Sequence, residues 1–592
     1  MITSSVSSQS GGNFWANFFV TNRYVSGSFI IIIYILLATV LAYLLSGYIA
    51  KIYKGEPTAM DRISGPVVRA FERFLGEDAK KQMEFREYFT SILVFSLFLG
   101  AIGFAVIYFQ HDLPFSFSNN HMTPSLIFNT VSSFLTNTNL QHYSNPFDLS
   151  YFSTTFVITG FMFISAGIGF AASMAFIRGI LSENGKIGNF YHDFLVSEFY
   201  LLFPLSVVLT FILVLSGIPQ TMTPYLTITP VLSHTAFRLP LGPVATLESI
   251  KTIGTNGGGF YGANAGFPLG NPDWFTNMVE LEALLLIPLA SILSLGKVFD
   301  NKRFATMLYG VVMIIFVFTS FLSFFGEMSG IPSITALGMS FTGNMLGKET
   351  ALGISQSTLF SVGSTITSTG AVNSALINYT PVGIMGPLLD LLMNDPLGGV
   401  GTGVLNIFMY VIFTVFITSL MVGKLPEIMS LKIGSREIRY STLSLVTHPL
   451  LVIIPFGITL LLPQFMTSFV NTGPDKITQL LYEFATAASN NGSEVGGFVT
   501  NQPFFNYVDG IVMLLGRYLL MGFQLLIAQS FSYKKPKVQV ARTVDPGSFL
   551  FGFTLFFVMI LLGLLSFFPI LALGPLLAFA KAFNLFILGV IP

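Results

Sequence analysis

The chain has 592 residues, 52% of them hydrophobic and 9% charged, with 28 basic and 28 acidic side chains and no cysteine. Soluble domains carry about 25% charge, so the composition points to an all-α integral membrane protein and away from a soluble enzyme. Zero net charge gives no footing for nucleic acid, and the lack of cysteine removes disulfides, thiolate catalysis and Cys-based metal sites.

A helical span needs about 20 apolar residues. Ten are predicted, at 28–50, 88–110, 153–178, 193–216, 275–296, 304–325, 403–423, 441–463, 506–531 and 548–573. The first run is too long for a signal-peptide core and lacks a convincing cleavage site, so it reads as a retained span. After the second, fourth, sixth and eighth spans come stretches that suit short helices but not full spans: 125–135, 244–254, 354–367 and 477–489. Each runs into small polar residues. The unit is span, re-entrant half-helix with loop, span. It is used four times, at 88–178, 193–296, 304–423 and 441–531. An N-terminal extra span with a cytoplasmic loop (1–87) and a C-terminal extra span (548–592) fall outside the repeats.

The four polar loops read Thr136-Asn137-Thr138-Asn139, Thr255-Asn256-Gly257-Gly258, Ser368-Thr369-Gly370-Ala371 and Asn490-Asn491-Gly492-Ser493. Aligned on the third residue of each, they recur about every 113 to 122 residues, too long a period for a solenoid. Irregular backbone at membrane depth survives only where it is buried in protein or lines a wet cavity. Four such loops on one axis make a cage of carbonyls and hydroxyls that replaces a cation's water shell. Glycine lets successive carbonyls point one way without a Cβ clash. Thr and Asn add neutral oxygens and tie the loop to backbone. No carboxylate lies in the four motifs, which suits a weakly hydrated monovalent ion better than calcium. On this alignment Thr138 stands where the other repeats have Gly257, Gly370 and Gly492. Glu494, just past the fourth motif, either stabilises its loop or attracts cations.

Orientation follows from Lys and Arg. Loop 51–87 holds eight (Lys51, Lys54, Arg62, Arg69, Arg73, Lys80, Lys81 and Arg86), and the loops near 178–192, 296–303, 424–440 and 532–542 hold most of the rest. Segment 111–152 holds none. The positive-inside rule puts residue 51 in the cytoplasm, both termini outside, and all four re-entrant loops entering from outside.

The stretch Thr136-Asn137-Thr138-Asn139-Leu140-Gln141-His142-Tyr143 resembles a filter signature of the potassium-binding, channel-like subunit of the bacterial Kdp potassium pump, the KdpA family. So do Gly254-Thr255-Asn256-Gly257-Gly258-Gly259-Phe260, Ser368-Thr369-Gly370-Ala371-Val372-Asn373 and Asn490-Asn491-Gly492-Ser493, together with Gly398-Gly399-Val400-Gly401-Thr402-Gly403. The resemblance covers roughly residues 28 to 575. It implies the fold of the potassium-transporter superfamily and K+ as the transported ion. It further implies a P-type ATPase catalytic subunit and small accessory membrane subunits as partners, in the bacterial plasma membrane with the filter facing outside. Ions would enter through this filter and pass to the ATPase. The resemblance also places Gln141 as filter support and favours an arginine near the pore at Arg517. A stand-alone potassium channel or cation symporter of the same superfamily is the alternative.

Arg517 lies well inside span nine, where a charge normally faces the bundle interior. It either neutralises a buried carbonyl or carboxylate, or forms a positive plug below the filter. Gly257-Gly258-Gly259-Phe260-Tyr261-Gly262 has dinucleotide-fingerprint spacing but no strand before it. The run Gly343 to Glu349 falls one residue short of a P-loop, and no Asp-Lys-Thr-Gly phosphorylation sequence occurs, so no ATP-hydrolysing site is expected in this chain. No acid/base or metal cluster is legible either.

Overall fold

The computed structural model describes residues 22–587 apart from 80, 118–120, 231–234, 331–342, 424 and 536–544. Lys80, Lys424, Lys537 and Arg542, counted above for orientation, lie outside the described residues, as do 1–21 and 588–592 of the terminal segments. Among the described residues, ten helices are long and apolar enough to cross a membrane: Arg23–Lys54, Phe85–Tyr108, Tyr151–Leu181, Phe190–Leu215, Trp274–Val298, Lys302–Met328, Thr402–Val422, Ser435–Leu460, Pro503–Phe531 and Phe549–Leu573. These are spans one to ten. Local chemistry marks their ends. Asn22, Asp273, Asn301 and Ser548 cap N-termini with side-chain oxygens. Gly55 and Gly423 end spans one and seven in the left-handed conformation that glycine adopts without strain.

Four shorter helices, Pro124–Leu135, Val244–Ile253, Gly353–Ile366 and Pro474–Ala488, follow spans two, four, six and eight. We call them pore helices one to four. Their side chains are almost all buried, so they form the centre and the spans the wall. Pore helices one, two and four pack on both spans of their own repeats, and pore helix three packs on span six of its own repeat and on spans one and five. Pore helix one also packs on span nine, which closes the circle from repeat four back to repeat one. Span one lies along span five, and span ten against spans six and seven. The outer spans present large apolar side chains outwards, such as Leu97 at 77% exposure and Phe549 at 87%, as a lipid-facing wall requires.

Glycine allows the tightest helix contacts. A Cβ on Gly179 of span three would lie 2.6 Å from the Ala528 carbonyl of span nine, the small-residue approach on which membrane helices rely. Spans three, four and nine each contain one π turn, at Thr154–Thr159, Ser197–Leu202 and Leu515–Leu519. The basic loops are tied together on one face. Lys186 pairs with Glu84 at 3.0 Å and Lys534 with Glu437 at 2.7 Å, while Gly185 donates to the Ser532 carbonyl at 2.9 Å.

Two features were not anticipated. A short antiparallel hairpin pairs Tyr225–Ile228 with Phe237–Pro240. In repeat three the chain also forms a buried helix, Met385–Leu392, before span seven. Between that helix and span seven the backbone turns through left-handed Asn394 and Asp395 and reaches Gly401 in irregular form.

Candidate ion filter

All four pore helices end at the polar loops. Their last free carbonyls, and the negative end of each helix dipole, therefore point at one place. The turn out of each helix is the same. The cap residues Thr136, Gly254, Thr367 and Ser489 close it. The next residues, Asn137, Thr255, Ser368 and Asn490, all take positive φ, from 47° to 63°. One residue on, Thr138, Asn256, Thr369 and Asn491 donate their backbone N–H to the carbonyls of Ser133, Lys251, Ser364 and Thr486, at 2.8 to 3.0 Å. Four identical turns thus set four strands of filter backbone in register.

That register corrects the sequence alignment of repeat one. Thr138 is the counterpart of Asn256, Thr369 and Asn491. The counterpart of Gly257, Gly370 and Gly492 is Asn139, with φ 59°. Motif one lacks the glycine that anchored the alignment, and asparagine tolerates left-handed backbone well enough to replace it.

The glycines sit where adjacent repeats meet. A Cβ on Gly257 would lie 2.6 Å from the Thr369 carbonyl oxygen. One on Gly370 would overlap the Asn491 carbonyl oxygen, and one on Gly492 that of Thr138. Carbonyls at matched positions of repeats three, four and one are therefore each covered by a bare glycine of the repeat before.

Side-chain amides act as struts. Asn137 donates to the Thr255 carbonyl at 2.8 Å and Asn139 to the Gly257 carbonyl at 3.2 Å. Ser368 donates to the Asn490 carbonyl at 2.9 Å, and Asn490 to the Thr138 hydroxyl at 2.9 Å. Asn256 donates to the Asn137 side-chain oxygen at 2.6 Å. Gln141 accepts from the Gly259 N–H at 2.9 Å and donates to the Gly259 carbonyl at 3.1 Å. Above the loops, Asn139, Gln141, Gly258, Gly370, Gly492 and Glu494 help line a cavity of 510 Å³.

Beneath the loops lies the irregular backbone of repeat three. Leu397 and Gly398 donate to the Ile366 carbonyl, and Val400 donates to the Thr255 hydroxyl at 2.9 Å. Arg517 is buried in the π turn of span nine and donates to the Ser165 carbonyl at 2.8 Å. Ser165 in turn donates to the Asn137 side chain at 2.8 Å. A Cβ on Gly169 would lie 2.6 Å from the Val400 carbonyl and 2.8 Å from the Arg517 guanidinium. The arginine is thus one residue removed from the filter, beside the Val400 loop.

The profile of the KdpA family, described as the potassium-transporting ATPase A subunit, matches residues 32–579. The chain belongs to the KdpA family. Relatives described as the potassium-binding subunit of the potassium-transporting ATPase include one from Thermoplasma acidophilum, 65% identical over 572 residues, 97% of each chain. One from Geobacillus kaustophilus is 38% identical over 530 residues, 89% of this chain and 94% of that one. In fold, the chain is similar to the solved potassium transporter TrkH from Vibrio parahaemolyticus, with a TM-score of 0.50 at 16% identity over 85% of this chain and 98% of that one.

Sequence reading of this KdpA-family chain missed a charged cluster. His142, Glu483 and Asp509 meet in the buried interior, although more than three hundred residues separate the first from the others. The expectation of no acid/base or metal cluster is therefore corrected. No local spacing could reveal it, because the filter ring itself brings repeats four and one together. Burial lowers the His142 pKa, but Glu483, Asp509 and Glu494 outweigh it and push the ring up to about 9. Burial first, then Glu483, pushes Glu494 up to about 8.

Proposed function

We propose that this chain is the potassium-binding and translocating subunit of an ATP-driven importer, selecting K+ from outside through the four-loop filter. The observation that carries the reading is the ring of matched turns. Thr138, Asn256, Thr369 and Asn491 present backbone carbonyls at equivalent positions on four converging pore helices. Neutral oxygens at the negative ends of four dipoles favour a weakly hydrated cation. Thr136, Asn137, Asn139, Thr255, Gly257, Gly258, Ser368, Gly370, Asn490 and Gly492 shape and brace the ring, with Gln141 holding the second loop from outside. The 510 Å³ cavity is the entrance.

Below the ring, the 394–401 loop and the Arg517 guanidinium close the straight path. A pump subunit must close it, or the gradient it builds drains back. A cation under the filter does this by repulsion in a poorly screened space. Those two elements favour the pump over the stand-alone channel. The reading places the chain in the plasma membrane with a P-type ATPase catalytic subunit and small accessory membrane subunits as partners, and ATP hydrolysis lies with the partner. Reconstitution tests it. The lone chain in liposomes is expected to pass negligible K+, while its complex with the ATPase subunit hydrolyses ATP in response to K+. Robust passive flux through the lone chain would instead establish the channel reading.

A further inference from the structure

Among the described residues, several carboxylates are buried in the protein interior, and two of them close on a lysine. Glu327 meets Lys348 at 2.7 Å and also accepts from Asn344 and Thr380. Glu248 pairs with Lys251, which donates to Asn264 at 3.1 Å. A further cluster brings an imidazole and two carboxylates together with no lysine. His142 Nε2 stands 3.4 Å from Glu483 Oε1 and 3.8 Å from Asp509 Oδ2, both longer than a charge-assisted hydrogen bond of about 2.7–2.9 Å. His142 Nε2, Glu483 Oε1 and both Asp509 carboxylate oxygens have no hydrogen-bond partner. All three side chains are buried to within 1%. Orphaned polar atoms gathered this closely in a dry interior are costly unless something charged or polar stands between them.

The histidine is held as a ligand would be. Its Nδ1 lies 2.8 Å from the Asn506 side-chain oxygen, which directs Nε2 and its lone pair at the carboxylates. Asn506 is itself fixed, donating to Ser125 and Asn501. For N and O ligands about 2.0–2.1 Å from a tetrahedral ion, the ligand–ligand edges are about 3.4 Å. The His142–Glu483 spacing of 3.4 Å is that of such an edge, and Asp509, 3.8 Å from His142 with all three ligand atoms within 4.8 Å of one another, joins a shared ion by a small inward rotation of its side chain.

We infer that His142, Glu483 and Asp509 form a binding site for a divalent transition-metal ion of the zinc class. One imidazole with two carboxylates is a borderline donor set suited to Zn2+, Co2+ or Mn2+, and a poor one for Ca2+ or Mg2+. Two carboxylates and a neutral imidazole carry two negative charges, which a divalent ion cancels. The site would link the chain just after filter loop one (His142) to pore helix four (Glu483) and span nine (Asp509). It staples the seam where repeat four closes on repeat one. The inference does not depend on which ion passes the filter.

The test uses the full-length, tag-free chain, stripped with a chelator. Because the His111 and His121 rings lie 4.7 Å apart on the outer surface, both are replaced by alanine to remove a competing surface site. Co2+ is the probe. Expected are one Co2+ per chain by elemental analysis, a visible d–d band, displacement by Zn2+, and a higher melting temperature with metal. Glu483→Gln and Asp509→Asn should lose stoichiometric binding. Asn506→Ala, which frees the ring without removing a ligand, should weaken affinity by about tenfold or more. If a variant fails to fold, pulsed EPR on the otherwise wild-type chain decides, after His192, His234 and His448 are also replaced so that His142 is the one histidine left. An imidazole nitrogen coupled to the bound Co2+ supports the site, and no such coupling overturns it. Absence of stoichiometric binding to the parent chain also overturns it, leaving the cluster to protons alone. Binding that survives both carboxylate variants does the same, by placing the ion elsewhere.

Discussion

At the scale of single residues, the filter depends on side chains that are missing. Gly370 has φ 74°, and a Cβ there would overlap the Asn491 carbonyl oxygen. Gly370→Ala therefore combines a left-handed alanine, about 1 kcal/mol, with overpacking of about 1–3 kcal/mol, against backbone that cannot yield without moving the ring. K+ affinity by titration calorimetry should fall at least about tenfold. Gly457→Ala is the control, since its Cβ meets nothing within 4 Å and affinity should be unchanged. Gln141→Ala strands the N–H and carbonyl of Gly259. Each unsatisfied group costs about 1–3 kcal/mol, and discrimination of K+ from Na+ in the same titration should narrow measurably. The residue types at the filter were legible in the sequence because neutral small polar residues between apolar runs have few other uses. The register of repeat one was not, since asparagine and glycine both adopt the turn and only the helix end at Thr136 followed by left-handed Asn137 distinguishes the counterpart.

At the scale of elements, long apolar runs fixed ten spans and polar interruptions fixed four half-helices, with ends within a few residues of those observed. The lipid core demands about 20 apolar residues, and the loops could not supply them. The break before span seven was not legible. Met385–Leu392 is apolar enough to extend a span, and the irregular run from left-handed Asn394 and Asp395 through Gly398 to Gly401 separates the two. That break puts Val400 under the filter. Two changes probe the closure. Arg517→Gln keeps a donor near Ser165 but removes the charge, and should raise passive K+ flux of the lone chain in liposomes from negligible to measurable. Gly401→Val, whose side chain would overlap the Gly169 carbonyl and whose φ is 75°, displaces the loop and should uncouple ATP hydrolysis from K+ uptake in the complex. Flux and coupling left unchanged by both would remove the plug while leaving the filter standing.

At the scale of the whole molecule, four repeats share one centre, and contacts between repeats carry as much of the site as contacts within them. Hence the filter loops, each local, were readable from the sequence, whereas the His142, Glu483 and Asp509 cluster was not. Topology can be checked cleanly because the chain has no cysteine of its own. A single cysteine at Glu72, on the amphipathic helix Gly65–Leu75, should react with an impermeant maleimide only from the cytoplasmic side. One at Phe147, 73% exposed, should react only from outside. Labelling of both from the same side would invert or break the assigned orientation. The central claim is that one K+ is held by a ring drawn from all four repeats. Anomalous scattering from crystals grown with Tl+ or Rb+ in place of K+ tests it most directly. The account predicts a peak enclosed by the backbone carbonyls of Thr138, Asn256, Thr369 and Asn491. A filter without that peak, in a crystal whose ion concentration saturates transport, would contradict it.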